Sequence, residues 1–279
     1  MKIVKEILKW IVPYQIVLEY QKQSGGWNRI FKNLVELGVL KKTDRQDQDK
    51  RKKFEYQSAI EFLTLQGCDP QQVQEGSVPK SSLSFIAEYL NQSFKNQPII
   101  GLHIGNFVGI SLAYLTDKII SINSESLLLS IDPNIVHRGI VNPLNLVVGL
   151  LSQFGLQNNC LILTGYSLEL NEYNEVSKNL ENFFDKGVSP GNQLQLLHKL
   201  CSKKFDFVML DGSHEGEYVK RELQAIHYLL RDNGIVFMDD VSVFWEGVKE
   251  AYDNVDSNLY EKVAYDGRVG ILKKASGKF

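Results

Sequence analysis

From residue 98 onward, short apolar runs alternate with amphipathic stretches, and each run stops at a glycine or an aspartate. The runs are 99–104, 127–131, 160–164, 205–210 and 234–238. Their brevity and near-continuous Ile, Leu, Val and Phe content predict strands buried on both faces. Helical patterns follow at 107–116, 144–154, 217–230 and around 248–252. Residues 259–265 and 268–273 read as two further strands around Asp266-Gly267, a hairpin signal. Five strands separated by helices predict an α/β fold with a mostly parallel, seven-stranded sheet that ends in an antiparallel hairpin.

Residues 1–95 have another texture, that of helices joined by polar loops. Apolar residues recur at helical spacing at Ile3, Ile7, Leu8 and Ile11, again at Ile30, Leu34, Leu37 and Val39, and again at Phe54, Ile60, Phe62 and Leu63. A further helix is expected over 82–91. We read 1–95 as a helical N-terminal region that covers an acceptor site or mediates oligomerisation, and 96–279 as the α/β domain. Residues 1–21 carry Lys2, Lys5 and Lys9 among apolar positions. They suit a helix packed on the domain or on a second subunit, or a basic amphipathic helix resting weakly on a membrane surface. A polar stretch at 171–195, with Gly187, Pro190 and Gly191, reads as a lid or as an exposed insertion.

Composition narrows the field. Thirty-one basic residues against 33 acidic ones give a net charge of −2, with no footprint for a nucleic-acid partner. The stretch 41–53 holds seven basic residues and three aspartates of alternating sign, as on a solvated helix or linker. Cys68, Cys160 and Cys201 form no CxxC pair and no even framework, which points to a reducing, cytoplasmic setting.

In open parallel sheets, ligands bind at the carboxyl ends of the strands. Gly105, Asp132, Gly165-Tyr166-Ser167, Asp211 and Asp239-Asp240 all stand at such ends. Gly105 and Gly109 bracket a strand-to-helix turn where backbone can approach a ligand, although tight turns also use glycine for structure alone. The third glycine of the dinucleotide fingerprint is missing, which disfavours a nicotinamide oxidoreductase, and no P-loop occurs. Asp132 suits a ribose diol, or simply a cap ahead of Pro133.

Residues 99–111 (IIGLHIGNFVGIS) resemble motif I of class I methyltransferases that depend on S-adenosylmethionine (SAM). Ser130 to Pro133, Thr164 to Ser167, FDFVMLDGSH at 205–214 and GIVFMDD at 234–240 resemble the motifs that follow in that family. The likeness spans 98 to about 275 and implies a Rossmann-like methyltransferase fold. It implies SAM over Gly105, Asn106 and Gly109, with Ser111 in the same motif, Asp132 on the ribose and Tyr166-Ser167 near the adenine. His103 stands where an acid usually helps hold the methionine part, and Asp211 borders the cofactor.

Asp211, Asp239 and Asp240 end neighbouring strands, and clustered carboxylates favour a hard cation such as Mg²⁺. Such an ion would orient and acidify an acceptor hydroxyl, with His214 as general base. Metal-dependent O-methyltransferases of the catechol and macrolide-sugar types resemble this chain there. Two other readings stay open: a metal-free enzyme using His214, and plain turn caps. The expected activity is O-methylation of a small-molecule or glycoside hydroxyl. The rival is a non-catalytic binding module of the same fold, favoured by His103 and by the 171–195 stretch. His137, His198 and His227 have no distinguishing placement.

Overall fold

The computed structural model describes residues 51–168, 192–201 and 204–275. The helical patterns at 3–11 and 30–39, and the surface proposed for 1–21, lie outside the described residues. So does most of the 171–195 stretch.

Seven strands form one sheet: β1 (Ile100–Ile104), β2 (Leu127–Asp132), β3 (Cys160–Thr164), β4 (Phe205–Leu210), β5 (Leu230–Met238), β6 (Tyr260–Tyr265) and β7 (Gly270–Lys274). Their order is β3-β2-β1-β4-β5-β7-β6. The first five are parallel, and β7 pairs antiparallel with both β5 and β6. This is the predicted Rossmann-like arrangement.

Eight helices are described: α1 (Tyr56–Leu65), α2 (Pro70–Glu75), α3 (Lys80–Ser93), α4 (Ile110–Ile122), α5 (Pro143–Gln153), α6 (Gln193–Cys201), α7 (Gly216–Leu229) and α8 (Glu246–Asp253). Strand side chains alternate between the two faces, as the period of two requires. Leu128, Phe207 and Phe237 point to one core and Leu129, Val208 and Val236 to the other. The first core is closed by α1, α3, α4 and α5, the second by α6, α7 and α8. On α3 the buried residues Leu83, Ile86, Ala87 and Leu90 repeat at i, i+3, i+4 and i+7, so one stripe meets the core. The described part of the N-terminal region therefore shares a core with the sheet.

Ten of the 13 residues of α4 are buried, between the sheet and its neighbouring helices. One is Asp117, whose side chain is fully enclosed. Arg51 reaches it at 2.5 Å, and the Phe54 backbone N–H donates to the same oxygen at 3.2 Å. A buried carboxylate needs such partners, and the pair ties the segment entering α1 to the centre of the fold. None of the described helices is long and apolar enough to cross a membrane.

Removing the cation leaves that charge uncompensated except by Lys118 at 3.9 Å. Arg51→Ala is expected to cost about 3 kcal/mol. Urea unfolding should show a lower midpoint at unchanged slope, and a loss below about 0.5 kcal/mol would deny the pair this role.

Candidate active site

The registers decide where the site lies. Ile104 pairs with Ile131 on one side and Leu210 on the other, and Leu210 pairs with Met238. The next residues, Gly105, Asp132, Asp211 and Asp239, therefore emerge level at one edge of the sheet. A cavity of about 690 Å³ opens there.

One end of the cavity is the β1–α4 turn. Gly105 has φ +90°, and a Cβ on it would lie 1.9 Å from the Asp211 carbonyl oxygen. Only glycine fits. Gly109 has the same φ and caps α4. Asp132 supports the turn: one carboxylate oxygen accepts the Asn106 backbone N–H and the other that of Asn134, both at 2.5 Å. Burial pushes the Asp132 carboxyl upward, and the N–H groups of Asn106, Asn134 and Phe107 oppose that. Of the carboxylate's roughly four acceptor sites, these N–H groups leave about one for a ligand hydroxyl. Asn106 is buried; its side-chain oxygen accepts from Ser130 while its Nδ2 has no partner.

Gly105, Asp132, Tyr166, Ser167, Asp211, His214 and Asp240 all line the cavity. His103 does not reach it. Its ring is fully buried behind the turn, with Nε2 3.0 Å from Ser111 Oγ, which in turn lies 3.5 Å from Asp211. Burial lowers the His103 pKa to about 3, so the ring is neutral. Ser167 is buried with Tyr218 Oη at 2.9 Å and donates to Glu222 at 2.5 Å. Burial raises Glu222 to about 8. Its second oxygen has no protein partner, and the residue borders the cavity.

The acids stand beside the turn, at the ends of the neighbouring strands β4 and β5. Oxygens of Asp211, Asp239 and Asp240 come within 4.8 Å of one another. Burial raises Asp211 well above the usual carboxylate range, and the charges of Asp239 and Asp240 add to this. A residue without a motif sits among them. Arg268, from the β6–β7 turn, grips Asp239 with both ends of its fork, Nε to Oδ1 at 2.8 Å and Nη2 to Oδ2 at 2.6 Å. The same Nη2 is 2.9 Å from Asp240 Oδ1. Asp240 Oδ2 accepts from His214 Nε2 at 2.9 Å. Both oxygens of Asp239 and both of Asp240 are thus engaged, so the expected Mg²⁺ ligands do not form a free set. Asp240 takes φ 58°, a left-handed conformation that costs a non-glycine residue energy. Trp245 stacks on the His214 ring, centroids 3.8 Å apart.

Several wall residues had no sequence signal: His137, Arg138, Tyr218, Glu222, Trp245 and Arg268. His137 meets Phe107 edge to face at 5.6 Å. His198 and His227 lie on α6 and α7, in ring contact with Tyr228, and His227 also with Tyr260.

The family model described as a methyltransferase domain matches residues 102–241, from β1 through the β5 end. The chain belongs to the methyltransferase domain family. No curated protein sequence matches the methyltransferase significantly. Among solved structures it is similar to the O-methyltransferase from Bacillus cereus in complex with SAH, at 12% identity and TM-score 0.52, covering 89% of this chain and 97% of that one. It is also similar to the O-methyltransferase TomG from Streptomyces achromogenes, involved in tomaymycin synthesis and in complex with SAM, at 14% identity and TM-score 0.51 over 81% and 92% of the two chains. The SAH-bound methyltransferase PaMTH1 from Podospora anserina gives 12% identity and TM-score 0.51 over 84% and 97%. At these identities the likeness is one of fold.

Glu222 gives the methyltransferase a pH dependence. Its folded pKa of about 8 stands above the ordinary 4.5, so between those values folding takes up a proton. That contribution to stability is complete below pH 4.5, falls by at most about 1.4 kcal/mol per pH unit, and is gone above pH 8. Glu222→Gln should flatten this slope in melting temperatures taken from pH 4.5 to 8. An unchanged slope would contradict a neutral, buried Glu222.

Proposed function

We propose that the protein transfers a methyl group from SAM to a hydroxyl of a small-molecule acceptor. One observation carries this reading: a single cavity joins the glycine turn and Asp132 at one end to the His214–Asp240 pair at the other. SAM, the donor in the complex of TomG, supplies a methyl already activated on a sulfonium. The tight turn at Gly105 and the remaining acceptor site of Asp132, both on the cavity wall, suit such a ligand. Tyr166, with Ser167 and Glu222, borders the same cavity and suits the base.

An oxygen acceptor follows from His214. With Asp240 as the acceptor, His214 Nε2 is the donor, and in a neutral ring Nδ1 then carries a lone pair. That nitrogen can take the hydroxyl proton as the oxygen attacks the methyl, a contribution of about 10²–10⁴-fold. Trp245 fixes the ring plane by stacking on it. Both the B. cereus protein and TomG are O-methyltransferases by name, which supports the same assignment. A sugar or glycoside hydroxyl remains the class suggested by the sequence motifs.

Calorimetric titration with SAM and SAH should give micromolar binding, weakened at least tenfold by Asp132→Ala. Absence of binding to folded protein would sink the reading. A screen of hydroxylated acceptors, read by mass spectrometry, should yield a product gaining one methyl. His214→Ala should keep the SAH affinity and lose at least 100-fold in turnover.

A further inference from the structure

Arg268 stands where the sequence motifs led us to expect a metal ion. Its position is built from the backbone outward. The Asp239 N–H donates to Leu210 O at 3.0 Å, which continues the β4–β5 pairing and holds Asp239 against β4. The Val241 N–H donates to Arg268 O at 2.8 Å, so the β5 end and the hairpin tip are tied together. On the hairpin side, Asp266 Oδ1 accepts the Arg268 N–H at 2.8 Å and the Val269 N–H at 2.6 Å. Tyr265 Oη lies 2.7 Å from Val241 O and 2.8 Å from Gly267 O, bracing the turn against the same strand end. The side chain therefore enters the acidic cluster from a rigid base.

The contacts it makes there are those a cation would make. The guanidinium fork takes both oxygens of Asp239 and one of Asp240, and His214 takes the fourth. A planar fork with fixed charge matches carboxylates in pairs, which lysine would not do as well. A divalent ion placed among the same oxygens would meet the guanidinium at contact distance and be repelled by it. Arg268 borders the same cavity as His214, with Asp240 bonded to both.

We propose that Arg268 is the resident cation of the acceptor end, a covalently held replacement for a divalent metal. It makes the cluster of Asp211, Asp239 and Asp240 self-sufficient. Through Asp240 Oδ1 it fixes the carboxylate that orients His214, and its charge faces the place where an acceptor oxygen loses its proton. It is a positioning residue for His214 and an electrostatic one for the acceptor. This role rests on the reading of the His214 wall as the acceptor end, whereas the claim that it excludes a metal does not.

The test needs no acceptor and no turnover. Mn²⁺ alone is titrated into the full chain and the free-ion resonance is followed. Wild type should leave Mn²⁺ free up to millimolar concentration. Arg268→Gln, which opens the oxygens and removes the charge, should bind Mn²⁺ at least tenfold more tightly and gain melting temperature with it. Arg268→Lys, which keeps one positive charge, should bind no more tightly than wild type. Gain of a metal site is an effect that a merely structural arginine would not produce. Micromolar Mn²⁺ binding by wild type would overturn the proposal, and it can be read even if the variants fold poorly. Folded Arg268→Gln with no gain over wild type would overturn it too. SAH binding, measured on the same samples, reports separately on the methyl-donor reading.

Discussion

The close approach of the β1–α4 turn to the β4 end is the constraint on which the site depends. With Gly105 at φ +90° and no room for a Cβ beside the Asp211 carbonyl, the turn and the acidic wall form one packed unit. The parallel registers place them level, and the Gly105 N–H extends the ladder by donating to Ile131 O at 2.9 Å. Asp132 braces the turn from β2, while Asp211 lies across it from β4. A ligand held by the turn is thereby placed against the acidic wall.

The electrostatics follow from how the buried groups settle their charges. Deep burial keeps His103 neutral, and it pushes Glu222 and Asp211 upward. Asp239 is pushed up by burial too, but the Arg268 fork pulls the other way. Burial alone would lower the Arg268 pKa, yet the bonds to Asp239 and the charges of Asp239 and Asp240 raise it further. The wall is therefore balanced by protein groups rather than left as three bare carboxylates. Asp240 bonds both Arg268 and His214 from a left-handed backbone, a conformation that costs a non-glycine residue energy.

The antiparallel hairpin has a purpose beyond closing the sheet edge. Because β7 lies next to β5, the β6–β7 turn returns to the same edge as the β5 end, and Arg268 sits in it. The α8 start brings Trp245 over His214 from the same side. The helices before β1 act at a distance: α1 and α3 complete one core, and the Arg51–Asp117 pair ties them to α4, whose N-terminus carries the glycine turn.

Much of this was legible in the chain itself. Apolar runs bounded by glycine and aspartate mark β3 and β4 to the residue, because buried parallel strands need continuous hydrophobicity and their ends need turn chemistry. The same rule locates Gly105, Asp132, Asp211 and Asp240 in the cavity wall. Helix ends were less legible: α4 starts at Ile110 rather than 107, since Phe107 and Gly109 take positive φ and Val108 belongs to the turn. His103 reads as a ligand-binding position from its motif, but its side chain turns to Ser111 behind the turn. Arg268, Trp245 and Glu222 carry no local signature, because what places them is the crossing of distant elements. Local pattern determined the strands, the turns and the acids at their ends, since those depend on periodicity and on backbone freedom. Only the tertiary structure decided which charge stands among the acids, because that depends on the hairpin folding back beside β5.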